Sequence, residues 1–209
     1  FYSEKIIRMP KTVACIDKIE ISKESIFRKD FNLPEKGFVF TCFNANQKIT
    51  SKEFDIWMRL LKGIKRSVLW LYQSNKYSVE NLIKEAEKRN VNPKRIIFAG
   101  RIPLKQHLAR HSLGDLALDT FYCNGGTTTS DALWAGLPVL TKIGQSFIAR
   151  VSASLLTSIG LPELITYSES EYEEKALFLA NNPDKLKLLR IKLSNASVSY
   201  THLTLPTNR

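Results

Sequence analysis

Asn124, Gly125, Gly126, Thr127 and Thr128 lie between an apolar run, Leu116-Ala117-Leu118, and a stretch that opens with Asp131 and continues Ala132-Leu133-Trp134. Residues of these types at a strand-to-helix junction can hold an anion. Glycines let the backbone approach a ligand without Cβ interference, threonine hydroxyls donate to phosphate oxygens, and the unpaired amides at a helix start favour negative charge. Asp131 would repel phosphate, so it is expected to face something neutral. A ribose diol fits, because a carboxylate accepts from two hydroxyls. A second reading needs no ligand: Thr128-x-x-Asp131 has the spacing of a capping box, and Asn-Gly-Gly makes an ordinary turn. These residues alone leave both readings open.

Other positions carry candidate chemistry. Lys48 follows the run Phe38-Val39-Phe40-Thr41-Cys42 across a short loop, where its ammonium is either beside a diphosphate or simply solvated. In His107-Leu108-Ala109-Arg110-His111 the histidines stand at i and i+4, with Arg110 on an overlapping face. That is the histidine spacing of zinc proteases, but Leu108 occupies the place of their general-base glutamate, so no metal is expected. Cys123 borders the glycine loop with no base near it in sequence. It reads as a small residue lining a sugar pocket rather than as a nucleophile. Trp57, Trp70 and Trp134 fall in helix or strand patterns and read as core anchors.

The elements that must position these residues alternate in type. Phe38 to Cys42, Val68 to Leu71, Ile96 to Phe98, Leu116 to Leu118 and Val139 to Thr141 read as buried strands. Glu53 to Lys62, Val79 to Arg89, Gln106 to Ser112, Thr128 to Ala135 and Phe147 to Ile159 read as helices. Repeated β-then-α order predicts a Rossmann-like, doubly wound parallel sheet of the α/β class. Ligands of such sheets bind at the carboxyl ends of strands, and each candidate motif follows one.

Composition narrows the partners. At 209 residues and 44% hydrophobic, the chain can bury one substantial core. No apolar run approaches a membrane span, and the first residues are no signal peptide, so no membrane partner is expected. Three cysteines, Cys15, Cys42 and Cys123, without CxxC spacing fit reduced thiols in a cytoplasm. The net charge of +11 suits phosphate-bearing small molecules, nucleic acid or an acidic protein. Lys84, Lys88, Lys185, Lys187 and Lys192 fall on helix-like segments as a solvated face, and no aromatic-interleaved basic run accompanies them. Nucleic acid is therefore not the expected partner.

Several motifs together carry a resemblance. Leu118-Asp119-Thr120, Cys123-Asn124-Gly125, Thr127-Thr128, Asp131 and Leu133-Trp134-Ala135-Gly136-x-Pro138 resemble the C-terminal catalytic lobe of the O-linked N-acetylglucosamine transferase and SPINDLY-like family. Tyr2-Ser3-Glu4-Lys5, Phe43-Asn44 with Lys48-Ile49, Ser67 to Leu71, Arg95 to Phe98, His107 with Arg110, and Arg150-Val151 before Gly160 to Leu164 match in the same order. The resemblance implies the donor-binding lobe of a GT-B glycosyltransferase that is inverting and needs neither metal nor cofactor. Such an enzyme moves N-acetylglucosamine, or a related sugar, from UDP to protein Ser or Thr hydroxyls. It places Lys48 at the diphosphate, where it steadies the leaving nucleotide, Thr127 and Thr128 at the phosphates, and His107 and Arg110 around the uracil. Cys123, Gly126 and Asp131 complete the donor site. There a ring can stack on the base and a guanidinium can bond its edge.

Departures accompany the matches. Gly126 stands where the animal enzymes have histidine, Leu104 where they have lysine, and Ala45 where they have glutamine. Each removes a polar contact. Residues 1–36 are expected to connect to an absent N-terminal lobe, normally preceded by tetratricopeptide repeats, and 37–196 to form the nucleotide-sugar lobe. Residues 197–209 break the helical pattern and resemble a translated sequencing-adapter tail, so His202 is expected to carry no function. The partners expected are UDP-N-acetylglucosamine, a protein acceptor and the missing parts of the same protein. The alternative from another class is a non-catalytic basic module for nucleotides or nucleic acid.

Overall fold

The computed structural model describes residues 19–200 together with Ser3 and Lys5, with side chains as far as Ala196. Tyr2, Glu4, Cys15 and 201–209 lie outside the described residues. The strands are β1 (Val39–Cys42), β2 (Val68–Tyr72), β3 (Ile96–Ala99), β4 (Leu116–Leu118), β5 (Val139–Lys142) and β6 (Ile165–Thr166). The helices are α1 (Ser51–Gly63), α2 (Lys76–Lys88), α3 (Leu104–Arg110), α4 (Thr127–Trp134), α5 (Val151–Ser158), α6 (Glu169–Asn181) and α7 (Pro183–Tyr200). The six strands form one sheet in the order β3-β2-β1-β4-β5-β6, and every pairing is parallel. This is the doubly wound topology expected from the sequence. Strand order reverses between β1 and β4, so the crevice beyond their carboxyl ends is where such a fold takes a ligand.

The strands read as continuous apolar runs because helices cover both faces of the sheet. Side chains alternate between two cores: Leu69 and Leu71 join Phe54, Trp57 and Leu61 of α1, while Val68 and Trp70 join Leu33, Val39 and Phe43 on the other side. Trp57 and Trp70 are buried, and Trp134 is half-buried with its indole N–H on the Ile19 carbonyl at 2.9 Å, so all three have the structural role expected of them. The five lysines read as a solvated face are exposed.

Differences at element boundaries have local causes. The Thr50 amide donates to Glu53 Oε1 at 2.9 Å and the Ser78 amide to Asn75 Oδ1 at 2.9 Å, so α1 and α2 begin upstream of Glu53 and Val79. The helix expected over 147–159 divides at Arg150 into a 3-10 turn, Phe147–Ala149, and α5. β6, at two residues, and α6 are absent from the sequence-based set. The α7 backbone continues to Tyr200, past the point where the helical pattern was expected to stop. Among the described residues, no helix is long and apolar enough to cross a membrane.

Candidate functional site

β4 ends on Leu118, and the next residue, Asp119, is 2% exposed. A carboxylate so placed must find donors. Its Oδ1 accepts from the Asn44 side-chain amide at 3.0 Å, the Thr120 amide at 2.9 Å and the Gly125 amide at 2.8 Å, and its Oδ2 accepts from the Thr141 hydroxyl at 2.8 Å. Burial pushes this carboxyl up from its usual range, against the pull of those donors. The Asn124 amide donates to the Thr120 carbonyl at 2.7 Å, the Thr120 hydroxyl to the Cys123 carbonyl at 2.6 Å, and the Ser152 hydroxyl to the Gly125 carbonyl at 3.1 Å. Residues 119–125 are thus folded around a buried carboxylate and tied to the segment after β1, to β5 and to α5.

That loop delivers the start of α4. Gly126 is the N-cap and supplies no side-chain bond. The Ser130 amide bonds back to the Gly126 carbonyl at 3.0 Å, while the amides of Thr127, Thr128 and Thr129 have no acceptor among the described residues. Thr128 and Asp131 therefore lie inside the helix, and the capping-box reading does not describe them. Thr127 is exposed; the half-buried Thr128 donates its hydroxyl to Asn44 Oδ1. From the other side of the crevice, the 3-10 turn after β1 brings Lys48 Nζ to 3.0 Å from the Asn124 carbonyl. An ammonium and the free amides of a helix start converge on one loop, a strongly anion-attracting arrangement.

Beside this loop opens a cleft of about 700 Å³, lined by Phe43, Tyr72, Arg101, Leu104, His107, Arg110 and Thr128 among others. His107 is half-buried, its ring 5.4 Å from that of Phe43. Burial, aided by Arg110, pushes it down to about 4, so it is neutral at pH 7. Arg110 is only 1% exposed, with Nη1 on the Gly100 carbonyl at 2.8 Å and its guanidinium 4.8 Å from the Phe43 ring. Burial lowers it to about 10, which still leaves it charged. Its Nε has no partner among the described residues. His111 packs inside, 1% exposed, with Nδ1 on the His107 carbonyl at 2.8 Å, so the pair does not chelate. Among the described residues no group of histidine, cysteine and carboxylate side chains could hold a metal ion.

The remaining expected residues sit nearby. Asp131 lies three residues past Thr128, 6% exposed and outside the cleft lining; its carboxylate has no partner among the described residues, and burial raises it. Cys123 is half-buried, its Sγ 4.0 Å from the Asn124 carbonyl. Cys42 is buried and pushed up to about 12 by desolvation, so it is an inert thiol. Sequence reading did not single out Asp119, Thr141 or Ser152 as the frame of the loop, or Tyr72 and Arg101 as cleft walls. A carboxylate directly after a buried apolar run was the one available signal.

A family model described as Glycosyl transferase family 41 matches residues 3–205. The chain belongs to that family. It is 35% identical over 174 residues to the UDP-N-acetylglucosamine--peptide N-acetylglucosaminyltransferase of Caenorhabditis elegans, covering 83% of this chain and 15% of the relative. It is also 35% identical over 199 residues to the probable enzyme of that name, SEC, of Arabidopsis thaliana, covering 92% of this chain and 20% of the relative. Among solved structures, a Thermobaculum terrenum O-GlcNAc transferase mutant matches with a TM-score of 0.77 and 32% identity, covering 80% of this chain and 33% of that one. The chain thus spans a third or less of the length of these relatives. An Anabaena protein solved with UDP and glucose, 17% identical with a TM-score of 0.59, shares the fold. Both the fold and the family expected from the sequence hold: the chain has the architecture of the C-terminal lobe of a GT-B enzyme.

Within this family 41 lobe the two adjacent glycines differ. A Cβ on Gly125 would meet Thr129 Oγ1 at 2.5 Å, Thr128 Oγ1 at 2.6 Å and Asn44 Oδ1 at 2.8 Å; on Gly126 it would meet nothing within 4 Å. Gly125→Ala is therefore expected to cost about 1–3 kcal/mol in chemical unfolding, and Gly126→Ala about 0.5 kcal/mol, the difference between glycine and alanine at an N-cap. Equal effects of the two substitutions would remove steric necessity as the reason for Gly125.

Proposed function

We infer that this chain is the donor-binding lobe of an inverting protein glycosyltransferase that takes N-acetylglucosamine, or a related sugar, from UDP and delivers it to Ser or Thr hydroxyls. One observation carries the reading: Lys48 Nζ, 3.0 Å from the Asn124 carbonyl, and the unpaired amides of Thr127, Thr128 and Thr129 meet where strand order reverses. The names of the C. elegans and A. thaliana relatives support the donor and the peptide acceptor. The facing lobe, the repeats expected before it and a cytoplasmic setting belong to the same proposal.

The chemistry follows from where charge develops. An acceptor hydroxyl attacks the anomeric carbon from the face opposite UDP and releases its proton to solvent, the bond to the diphosphate oxygen breaks, and UDP leaves with the negative charge that has grown on that oxygen. Lys48 and the α4 amides offset it without a metal ion, and the Thr128 hydroxyl joins them once it turns from Asn44. His107 stacks on the base, Arg110 holds the cleft wall and meets the base edge, and Cys123 and Gly126 leave room for the sugar. Asp131, buried and without a partner among the described residues, takes the ribose hydroxyls.

The test uses this chain for binding and the same lobe joined to its upstream partner for turnover. UDP is expected to bind the chain weakly and to shift the amide signals of Thr127, Thr128 and Thr129. Lys48→Met is expected to lower turnover by about ten- to hundredfold with a smaller change in donor affinity, as for a charged hydrogen bond of about 1.5–3 kcal/mol strengthened in the transition state. Asp131→Ala is expected chiefly to raise the donor KM. Unchanged transfer by both variants defeats the assignment, and so does UDP that leaves the loop signals unmoved.

A further inference from the structure

One wall of the 700 Å³ cleft holds two polar side chains that make no hydrogen bond among the described residues. Tyr72 ends β2, and its strand partner is Ala99, two residues before Arg101. The Gln73 amide on the Ala99 carbonyl at 2.9 Å extends that pairing past Tyr72, and Arg110 Nη1 on the Gly100 carbonyl at 2.8 Å pins the chain just before Arg101. Both backbones are therefore fixed at one end of the cleft. Arg101 is exposed and makes no hydrogen bond or ion pair among the described residues, and the half-buried Tyr72 phenol makes no hydrogen bond there either. Their side-chain neighbours Ile102, Pro103 and Leu104 offer neither donors nor acceptors.

This lining is biased toward donation. A guanidinium has five N–H donors and no acceptor, while the Tyr72 phenol can donate to a carbonyl oxygen or accept from an amino group. A base that turns a carbonyl oxygen to this wall can accept from both side chains; one that turns an exocyclic amino group faces the donor-only guanidinium and has just the phenol oxygen to accept from it. Uracil and guanine present O4 and O6 on their distinguishing edges, whereas cytosine and adenine present N4 and N6 amino groups. We propose that Arg101 and Tyr72 read the base of the donor nucleotide, selecting an oxo base over an amino base. The inference rests on the reading of the crevice as a nucleotide-sugar site, and adds specificity residues to it.

The test is calorimetric titration of this chain with UDP, CDP, GDP, ADP and inorganic pyrophosphate. UDP is expected to bind about tenfold more tightly than CDP, and GDP more tightly than ADP. Arg101→Met and Tyr72→Phe keep the bulk of each side chain, and each is expected to reduce those preferences at least threefold while pyrophosphate affinity stays the same. Arg101→Lys, which retains charge but loses the planar fork, is expected to restore part of the preference. CDP binding as tightly as UDP to the unaltered chain overturns the inference while leaving the nucleotide site intact. A uniform loss for every diphosphate, pyrophosphate included, in Arg101→Met also overturns it, since Arg101 would then act only as a long-range charge. Absence of binding by UDP and pyrophosphate alike overturns the nucleotide-sugar reading itself, and this inference with it.

Discussion

Asp119→Ala is expected to destabilise the chain by about 3–5 kcal/mol and to abolish UDP binding at concentrations that saturate the unaltered protein. The carboxylate accepts from the Asn44 side chain, the Thr120 and Gly125 amides and the Thr141 hydroxyl, all within 3.0 Å. Removing it leaves several buried donors without an acceptor, each costing about 1–3 kcal/mol before relaxation. The same deletion frees Gly125, and with it the start of α4, so binding is lost along with stability. Asp119→Asn separates the two consequences. Its carbonyl can keep the Gly125 amide while its NH2 turns to Thr141, whose hydroxyl can rotate to accept. The asparagine variant is therefore expected to lose about half as much stability and to retain measurable binding. Urea unfolding with and without UDP reads both quantities; an Asp119→Ala chain as stable as the parent would show that the loop is held by something else.

The contrast between what was and was not legible follows from distance along the chain. The strands announced themselves because a parallel strand buried on both faces is a run of apolar residues, as in Val68-Leu69-Trp70-Leu71. β6 was hidden because two residues make no pattern, and α6 because its buried Tyr172, Ala176 and Leu179 are outnumbered by charged and polar neighbours. In the site, the glycine-threonine loop and Lys48 were visible as residue types placed after strands. The Asp119 frame was not, because its side-chain partners come from the segment after β1, from β5 and from α5, up to 75 residues away in sequence. Tyr72 and Arg101 were overlooked for a related reason. One reads as the end of a strand and the other as a loop arginine until the β2 and β3 register sets them at one cleft. The capping-box reading of Thr128 and Asp131 fails on geometry too fine for spacing: the N-cap is Gly126, two residues before Thr128, which puts Thr128 inside the helix.

Acid is expected to weaken the fold well above the range where most carboxylates titrate. His111 is buried against Phe43 and His107, and desolvation pushes it down to about 3 from an ordinary 6.5. His107 is pushed down to about 4. The folded chain therefore refuses protons that the unfolded chain binds. The stability held by the neutral rings is complete above pH 6.5 and is lost as the pH falls toward these folded values. Two pH units below 6.5, one fully buried histidine accounts for about 2–3 kcal/mol, while His107, being half-exposed, accounts for less. Glu20, Glu85 and Glu163 are held below the usual glutamate range by lysine and arginine neighbours, so their contribution is lost only at lower pH. Asp119 and Asp131, raised by burial, act in the opposite sense and gain stability as the pH falls. The expected result is a unfolding free energy that drops between pH 6.5 and 4.5, and a drop smaller by about 2–3 kcal/mol in His111→Gln, whose amide can still donate to the His107 carbonyl. A His111→Gln chain with the same pH profile as the parent would mean that His111 takes its proton in the folded state, and that the Phe43–His107–His111 stack opens to water before the protein unfolds.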